Sequence, residues 1–201
     1  MKKIFVLLLG LNFLSGCTAF CLSKATAAPN RDFEDRLPYL QAIFLNEESL
    51  ENFNPEAEFA RAEDPMAERF YREVEANLIE PGEKKGYLVL LPQMNIARNG
   101  ASLYTFLSVV TLGLSPALGL PITTFTSVTD LELNVLNAQG ELIKQYTSQA
   151  FVQNKVGFYH GDCNSAHNCY TKVAWEGYER ALDNIIQQVY KDRAYLREQL
   201  N

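Results

Sequence analysis

The sequence predicts an α+β domain in which a small, antiparallel-rich sheet packs against helices. Three observations lead to this fold class: apolar and polar residues alternate on both sides of a glycine-containing turn, a short apolar run stands alone, and an amphipathic segment ends the chain. Alternation is typical of a half-buried strand, whereas apolar residues every three or four positions are typical of a helix. The order of helices, a strand, a hairpin and a long helix indicates an α+β sandwich.

Two helices are predicted first. Phe33, Leu37, Leu40 and Phe44 recur at spacings of four, three and four, which places them on one face of a helix that begins or is interrupted at Pro38. Residues 46–64 are strongly acidic and are interpreted as a solvated surface linker. The second helix has an N-cap, a proline at its first position and apolar residues at helical spacing: Asp64, Pro65, Ala67, Phe70, Tyr71, Val74 and Leu78.

The predicted strands follow. Residues 87–91 form an uninterrupted apolar run between Gly86 and Pro92, typical of a strand that is covered on both faces and central in a sheet. Leu131, Leu133 and Val135 then alternate with polar residues, residues 137–140 form a turn, and a second run continues over residues 141–151, which predicts a long hairpin. Apolar residues on one face predict a final helix: Ala174, Tyr178, Ala181, Leu182, Ile185 and Val189.

A long uncharged stretch precedes the hairpin. No charged residue lies between Arg98 and Asp130, and residues 101–125 are long enough to span a bilayer. Glycine and proline interrupt the stretch near its middle, so a straight transmembrane helix is not expected, and its first part is interpreted as a short helix. Three interpretations remain open: a buried helix and loop of the core, a hairpin that dips into the membrane, and a subunit interface.

Composition limits the classes of partner. The chain has 201 residues, of which 47% are hydrophobic and 21% charged, a balance typical of one folded globular domain. The formal net charge is -6 and no run of Lys and Arg occurs, so we expect no nucleic-acid partner.

The amino terminus is organised as an export signal. Lys2 and Lys3 precede the apolar residues 4–11, which are too few to span a bilayer. At the end of this signal, Leu14-Ser15-Gly16-Cys17 resembles the lipobox of bacterial lipoproteins, whose signal peptidase cleaves before a lipid-modified cysteine. The resemblance implies that residues 1–16 are a lipoprotein signal peptide and that Cys17 is the lipid attachment site. An ordinary secretory signal cut after Ala27 or Ala28 is the alternative.

The same resemblance implies a location. In this class the cysteine carries several acyl chains, and two or more chains hold a protein on a membrane essentially permanently. Thr18 follows Cys17, whereas Asp there retains many such proteins in the inner membrane of Gram-negative bacteria, so we expect the outer membrane. Residues 17–32 are the predicted lipidated tether, and residues 33–201 are a single α+β domain facing the periplasm.

One short loop concentrates reactive side chains. Both histidines lie beside two of the four cysteines, within residues 160–169. In an exported protein, Cys163 and Cys169 are expected to form a disulfide. A zinc or copper site formed by His160, Cys163, His167 and Cys169 is the alternative, although this spacing matches no common zinc finger and no cofactor is otherwise predicted. Cys21 is left as a free or intermolecular thiol.

No common catalytic motif occurs in the sequence, including G-x-S-x-G, the phosphate-binding loop and H-E-x-x-H. We therefore expect a non-enzymatic, lipid-anchored envelope protein that binds another envelope protein or a second copy of itself. The alternatives are a metal-binding or thiol-active periplasmic protein that uses residues 160–169, and an accessory subunit of a membrane export or assembly complex. Residues 108–116, followed by the hairpin, are also similar to small uncharacterised envelope lipoproteins, which implies no activity.

Overall fold

The fold is α+β, as predicted. The computed structural model describes residues 31, 35–45, 64–99, 106–107, 109–114, 118, 120–157, 163 and 165–200. Its strands are β1 (Leu40–Phe44), β2 (Gly86–Asn99), β3 (Thr123–Asn137) and β4 (Leu142–Val156). Its α-helices are α1 (Pro65–Glu73), α2 (Ala166–Lys191) and α3 (Arg193–Leu200), and a π-helical turn, Val74–Leu78, continues α1. None of the helices in this described part is both long and apolar enough to cross a membrane.

The four described strands form one sheet in chain order. β1 is parallel to β2, and the other neighbours are antiparallel. β1 ends with Phe44 opposite Leu90, whereas β2 and β3 stay paired until Asn99 lies opposite Thr124. Beyond Leu90, β3 is thus the one partner of β2 among the described strands, and the β2–β3 pair extends past the end of β1.

The predicted central strand is confirmed. Residues 87–91 lie within β2, between β1 and β3, and Leu88, Val89 and Leu90 are fully buried. The strand continues to Asn99, well beyond the apolar run, and its far half is largely exposed. The sequence underestimated this strand because the far half has no apolar pattern of its own, and its pairing with β3 defines it.

The helix predicted around residues 33–44 is wrong. Leu40–Phe44 is strand β1, and Leu37 forms an isolated bridge with Ile79. Leu40 packs in the main core while Ile43 packs in a small cluster on the other face of the sheet. Leu40 and Phe44, on which the prediction was based, both pack against the main core, because a spacing of four keeps side chains on one face of a strand as well as of a helix. Pairing with β2 decides between the two, and the local spacing carries no information on that pairing.

The start of α1 is confirmed. The Asp64 side chain accepts hydrogen bonds from the amides of Met66, at 2.7 Å, and Ala67, at 3.3 Å, and Pro65 occupies the first helical position. These bonds satisfy amide groups that have no partner inside the helix. Of the predicted acidic linker, residues 46–63 lie outside the described residues.

The predicted hairpin is confirmed as β3 and β4. At its turn, the Asn137 side chain accepts hydrogen bonds from the amides of Gln139 and Glu141, at 3.0 and 2.9 Å. Gly140 has a φ of 83°, a left-handed conformation that glycine adopts without steric cost. Turn chemistry therefore sets the register of the two strands.

The long carboxyl-terminal helix is confirmed and begins earlier than predicted. Ser165 caps α2 by accepting a hydrogen bond from the Asn168 amide at 3.2 Å. α2 lies across β3 and approaches it closely at Gly177, where an added Cβ would come within 2.6 Å of the Thr129 hydroxyl oxygen. The main core lies between this face of the sheet and the helices, with buried residues from α1, α2, α3 and each strand.

Candidate functional site

The connection between β2 and β3 exposes a set of large apolar side chains. We call this set the apolar tip, and the exposed fractions of its side chains range from 49% to 92%: Phe106, Val109, Val110, Leu112, Leu114, Leu118 and Leu120. The interpretation of residues 101–125 as part of the core is therefore wrong for these residues. Local composition shows that a segment is apolar, but the tertiary structure decides whether anything covers it.

The backbone of the apolar tip is bonded locally. The amide of Thr111 donates to the carbonyl of Leu107 at 3.0 Å, and that of Leu118 to the carbonyl of Leu114 at 2.9 Å. These helical turns agree with the short helix predicted for the first part of the stretch. Between them, Leu112 has a φ of 51° and an exposed fraction of 92%.

A disulfide-linked cluster lies at the base of the apolar tip. Cys163 and Cys169 form a disulfide with their Cα atoms 4.3 Å apart, in agreement with the sequence prediction. Both cysteines are buried in a second hydrophobic cluster with Phe125, Val152, Val156 and Val173. The ring of Phe125 also meets the ring of Tyr170 edge-on, with centroids 6.2 Å apart. The start of α2 thus packs against the start of β3 and the end of β4.

The residues of the alternative metal site are arranged differently. Cys163 and Cys169 are bonded to each other, so neither offers a thiolate, and His167 is exposed on the first turn of α2. His160 lies outside the described residues, as do Cys17 and Cys21. Within the described ranges, no three His, Cys, Asp or Glu residues are grouped so that they could hold a metal ion.

An apolar cleft opens beside the base of the apolar tip. Its volume is about 320 Å³, and its walls come from the start of α1, the far half of β2 and the start of α2: Asp64, Pro65, Met66, Met94, Ile96, Tyr170, Thr171 and Ala174. Met94 and Tyr170 are 42% and 48% exposed, so the cleft is open to solvent. The sequence did not indicate this cleft, because three distant segments form it and each carries too few of its residues to make a pattern.

The chain enters the described domain at Arg31, which the sequence assigned to the tether. The Arg31 guanidinium forms ion pairs with Glu73, at 2.5 Å, and with Asp183 on α2. The Arg31 amide donates to the side-chain oxygen of Asn77 at 3.1 Å. Arg31, at the end of the predicted tether, is therefore bound to both α1 and α2.

Glu73 is the centre of this ion-pair network. Its side chain is fully buried and accepts hydrogen bonds from Arg31, from Arg69 at 2.7 Å and from Asn77 at 3.1 Å. Arg69 is 2% exposed and also contacts Glu179 on α2 at 3.1 Å. Burial of Arg69 opposes its charged form, but Glu73 and Glu179 outweigh that effect and raise the pKa of Arg69. The two buried charges, Glu73 and Arg69, thus each have partners of opposite charge.

Replacing the buried carboxylate tests this network. We expect Glu73→Gln to lower the free energy of unfolding by about 3–5 kcal/mol, because the change removes the buried carboxylate that Arg31 binds and leaves the buried Arg69 with only the partly exposed Glu179 as a charge partner. The matched control is Glu68→Gln on the same helix, whose pair with Arg72 is partly exposed and should contribute about 0.5 kcal/mol or less. Urea unfolding of both variants gives the two values, and equal effects would contradict the role of Glu73.

Removing the disulfide separates a structural role of the cysteines from metal binding. We expect the double variant Cys163→Ala and Cys169→Ala to lose about 2 kcal/mol of stability, because its unfolded state is no longer restricted by a short closed loop. Reductant should destabilise the native protein equally and leave the double variant unaffected. Mass spectrometry of non-reduced peptides checks the bond directly. Two free thiols with stoichiometric zinc or copper in the native protein would support the metal site instead.

Comparison with known proteins gives a likeness to a solved structure. No family model matches this chain, and no curated protein matches it. A crystal structure of a candidate lipoprotein from Caulobacter crescentus CB15 aligns with 70% of this chain and 87% of its own, at 15% identity and a TM-score of 0.35. A TM-score of this size marks too little shared structure to carry a conclusion about fold or function.

Proposed function

We propose that this protein is a non-enzymatic, lipid-anchored lipoprotein of the cell envelope whose domain binds another envelope component. The observation that carries the proposal is Leu14-Ser15-Gly16-Cys17 at the end of an export signal. Acyl chains on Cys17 hold the protein on the membrane. Because Thr18 follows Cys17, the proposed location is the outer membrane, with the domain facing the periplasm.

The root of the tether supports an anchored domain. Arg31 is bound to Glu73, Asn77 and Asp183, so the segment that leads to Cys17 starts from a fixed point between α1 and α2. A tether attached at one defined point limits where the domain can lie relative to its anchor.

The apolar cleft is the proposed binding site for the envelope component. Its volume of about 320 Å³ is within the range of ligand pockets, and most of its lining is apolar. Met66 and Met94 have flexible side chains that adapt to different apolar shapes. Asp64, the one ionisable carboxylate in the lining, is already used as the cap of α1. We therefore expect the partner to insert an apolar side chain or segment.

The anchor is tested by replacing the proposed lipid attachment residue. In cells grown with labelled palmitate, we expect the native chain to incorporate label and fractionate with the outer membrane, and Cys17→Ser to lose the label. Cys21→Ser is the matched control and should keep both label and location, because bulky Phe20 precedes Cys21. If label survives in Cys17→Ser and disappears in Cys21→Ser, the lipid attachment site is Cys21. If neither the native chain nor the variants incorporate label, the proposed lipid anchor is refuted.

The cleft is tested by placing a photocrosslinking amino acid in the native envelope. Met94 lines the cleft, and its neighbour Gln93 is exposed on the opposite face of β2, because successive side chains of a strand alternate. We expect a crosslinked adduct from Met94→benzoylphenylalanine and much less from the matched variant Gln93→benzoylphenylalanine. The added variant Met66→Glu should weaken the Met94 adduct. Equal adducts from positions 93 and 94 would exclude the cleft as the binding site.

A further inference from the structure

We propose that the apolar tip inserts into the same bilayer that carries the anchor and forms a second membrane contact. This inference rests on the proposed lipid anchorage. The inference goes beyond lipid anchorage because it assigns a lipid-binding surface to the folded domain, and this surface sets the orientation of the domain relative to the membrane. The occupant of the surface is the acyl region of phospholipids.

The exposed apolar face of the tip suits the boundary of a bilayer. Phe106, Val109 and Val110 lie at spacings of three and four on one face of a helical turn, and each is at least 62% exposed. Leu107 and Thr111 lie on the other side of the turn and are only partly exposed. A helix with an exposed apolar face lies in the plane of a membrane interface, with that face buried among the acyl chains.

Charge and hydrogen bonding agree with this occupant. No charged residue occurs between Arg98 and Asp130, although charged groups are ordinarily common on an exposed surface. Local bonds satisfy backbone groups inside the tip, and the Thr111 hydroxyl also donates to the Leu107 carbonyl at 2.7 Å. Unsatisfied backbone groups are costly in lipid, so locally bonded turns suit insertion.

Leu112 is the strongest single observation. A non-glycine residue in the left-handed region is strained, and glycine or asparagine is favoured there. Leu112 has this conformation and a side chain that is 92% exposed, so the residue improves neither the turn nor the core. Strained residues persist where function requires them. An almost fully exposed leucine in this conformation fits a residue selected for contact with lipid.

The base of the tip presents cations. Arg98 and Lys155 are exposed and lie beside the last strand pairs before the tip, opposite Phe125 and Thr124. Basic groups next to an inserted segment attract anionic headgroups. Insertion of the tip would bring these two side chains to the level of the headgroups.

The anchor and the tip can reach one membrane. The helix rises about 1.5 Å per residue, so Asp183, which binds Arg31, lies about 20 Å along α2 from Tyr170. Tyr170 contacts Phe125 at the base of the tip. An extended chain spans about 3.3–3.6 Å per residue, so residues 17–30 have a maximum reach of roughly 45–50 Å from Arg31. That reach exceeds the distance from Arg31 to the base of the tip.

The test is photolabelling of the full, natively processed protein in vesicles of phosphatidylethanolamine and phosphatidylglycerol that include a phospholipid with a diazirine in its acyl chain. We expect labelled peptides from the tip, identified by mass spectrometry, besides the acylated Cys17 peptide. The variant Leu112→Asn with Leu118→Asp should lower tip labelling about tenfold or more, because polar residues are strongly disfavoured in lipid. Both side chains are exposed and Asn suits the left-handed turn, so the variant should remain folded.

Leu142→Asp is the matched control, because Leu142 is 58% exposed at the β3–β4 turn, away from the tip, and its replacement should leave tip labelling unchanged. An acylated Cys17 peptide with an unlabelled tip would overturn this inference and leave the anchor intact. A labelled tip on a chain without acylation would support the lipid-binding surface of the domain and refute the anchor. Capture of the tip by another protein or a second copy, in place of lipid, would overturn the inference in favour of an interface.

Discussion

The packing of α2 across the sheet is the interaction on which the rest of this structure depends. α2 contributes buried residues to both hydrophobic clusters between helices and sheet, and at Gly177 it lies so close to Thr129 that no side chain fits between them. Its first turns support the disulfide, the cleft and the contact with Phe125, and farther along it pairs with Arg31. One helix therefore sets the distance between Arg31, at the root of the predicted tether, and the apolar tip.

Unequal strand lengths explain why the tip is exposed. β1 ends opposite Leu90, whereas β2 and β3 remain paired for nine further residues of β2, from Leu91 to Asn99. The connection between β2 and β3 thus leaves the sheet far from the main core, where the helices already cover the apolar face of the strands. Its apolar side chains are left without cover in the described domain, which is an uncommon use of so many large apolar residues.

The buried ion pairs fix the relative positions of the segments that they join more than they increase the stability of the fold. Removing charged groups from water is costly, and a buried ion pair often offsets little more than that cost. Arg31 and Arg69 each pair with Glu73 on α1 and with a carboxylate on α2, which is Asp183 for Arg31 and Glu179 for Arg69. Pairing all of these charges requires that the root of the predicted tether, α1 and α2 meet in one arrangement. This requirement gives the proposed lipid anchor a fixed starting point on the domain.

The sequence by itself determined the features that local chemistry encodes. Asp64 and Pro65 begin α1, residues 137–140 set the hairpin, and period and length identify the central strand and α2, because caps, turns and periodicity act between near neighbours. The pairing of Cys163 with Cys169 was predicted from their spacing and from the expected export of the chain. The tertiary structure alone decided that residues 40–44 form a strand, that Met66, Met94 and Tyr170 share a cleft, and that the uncharged stretch is exposed. Each of these features depends on which distant segments of the chain lie next to each other. The hydrophobic effect favours burial but is non-directional, so it does not specify which segments pack together.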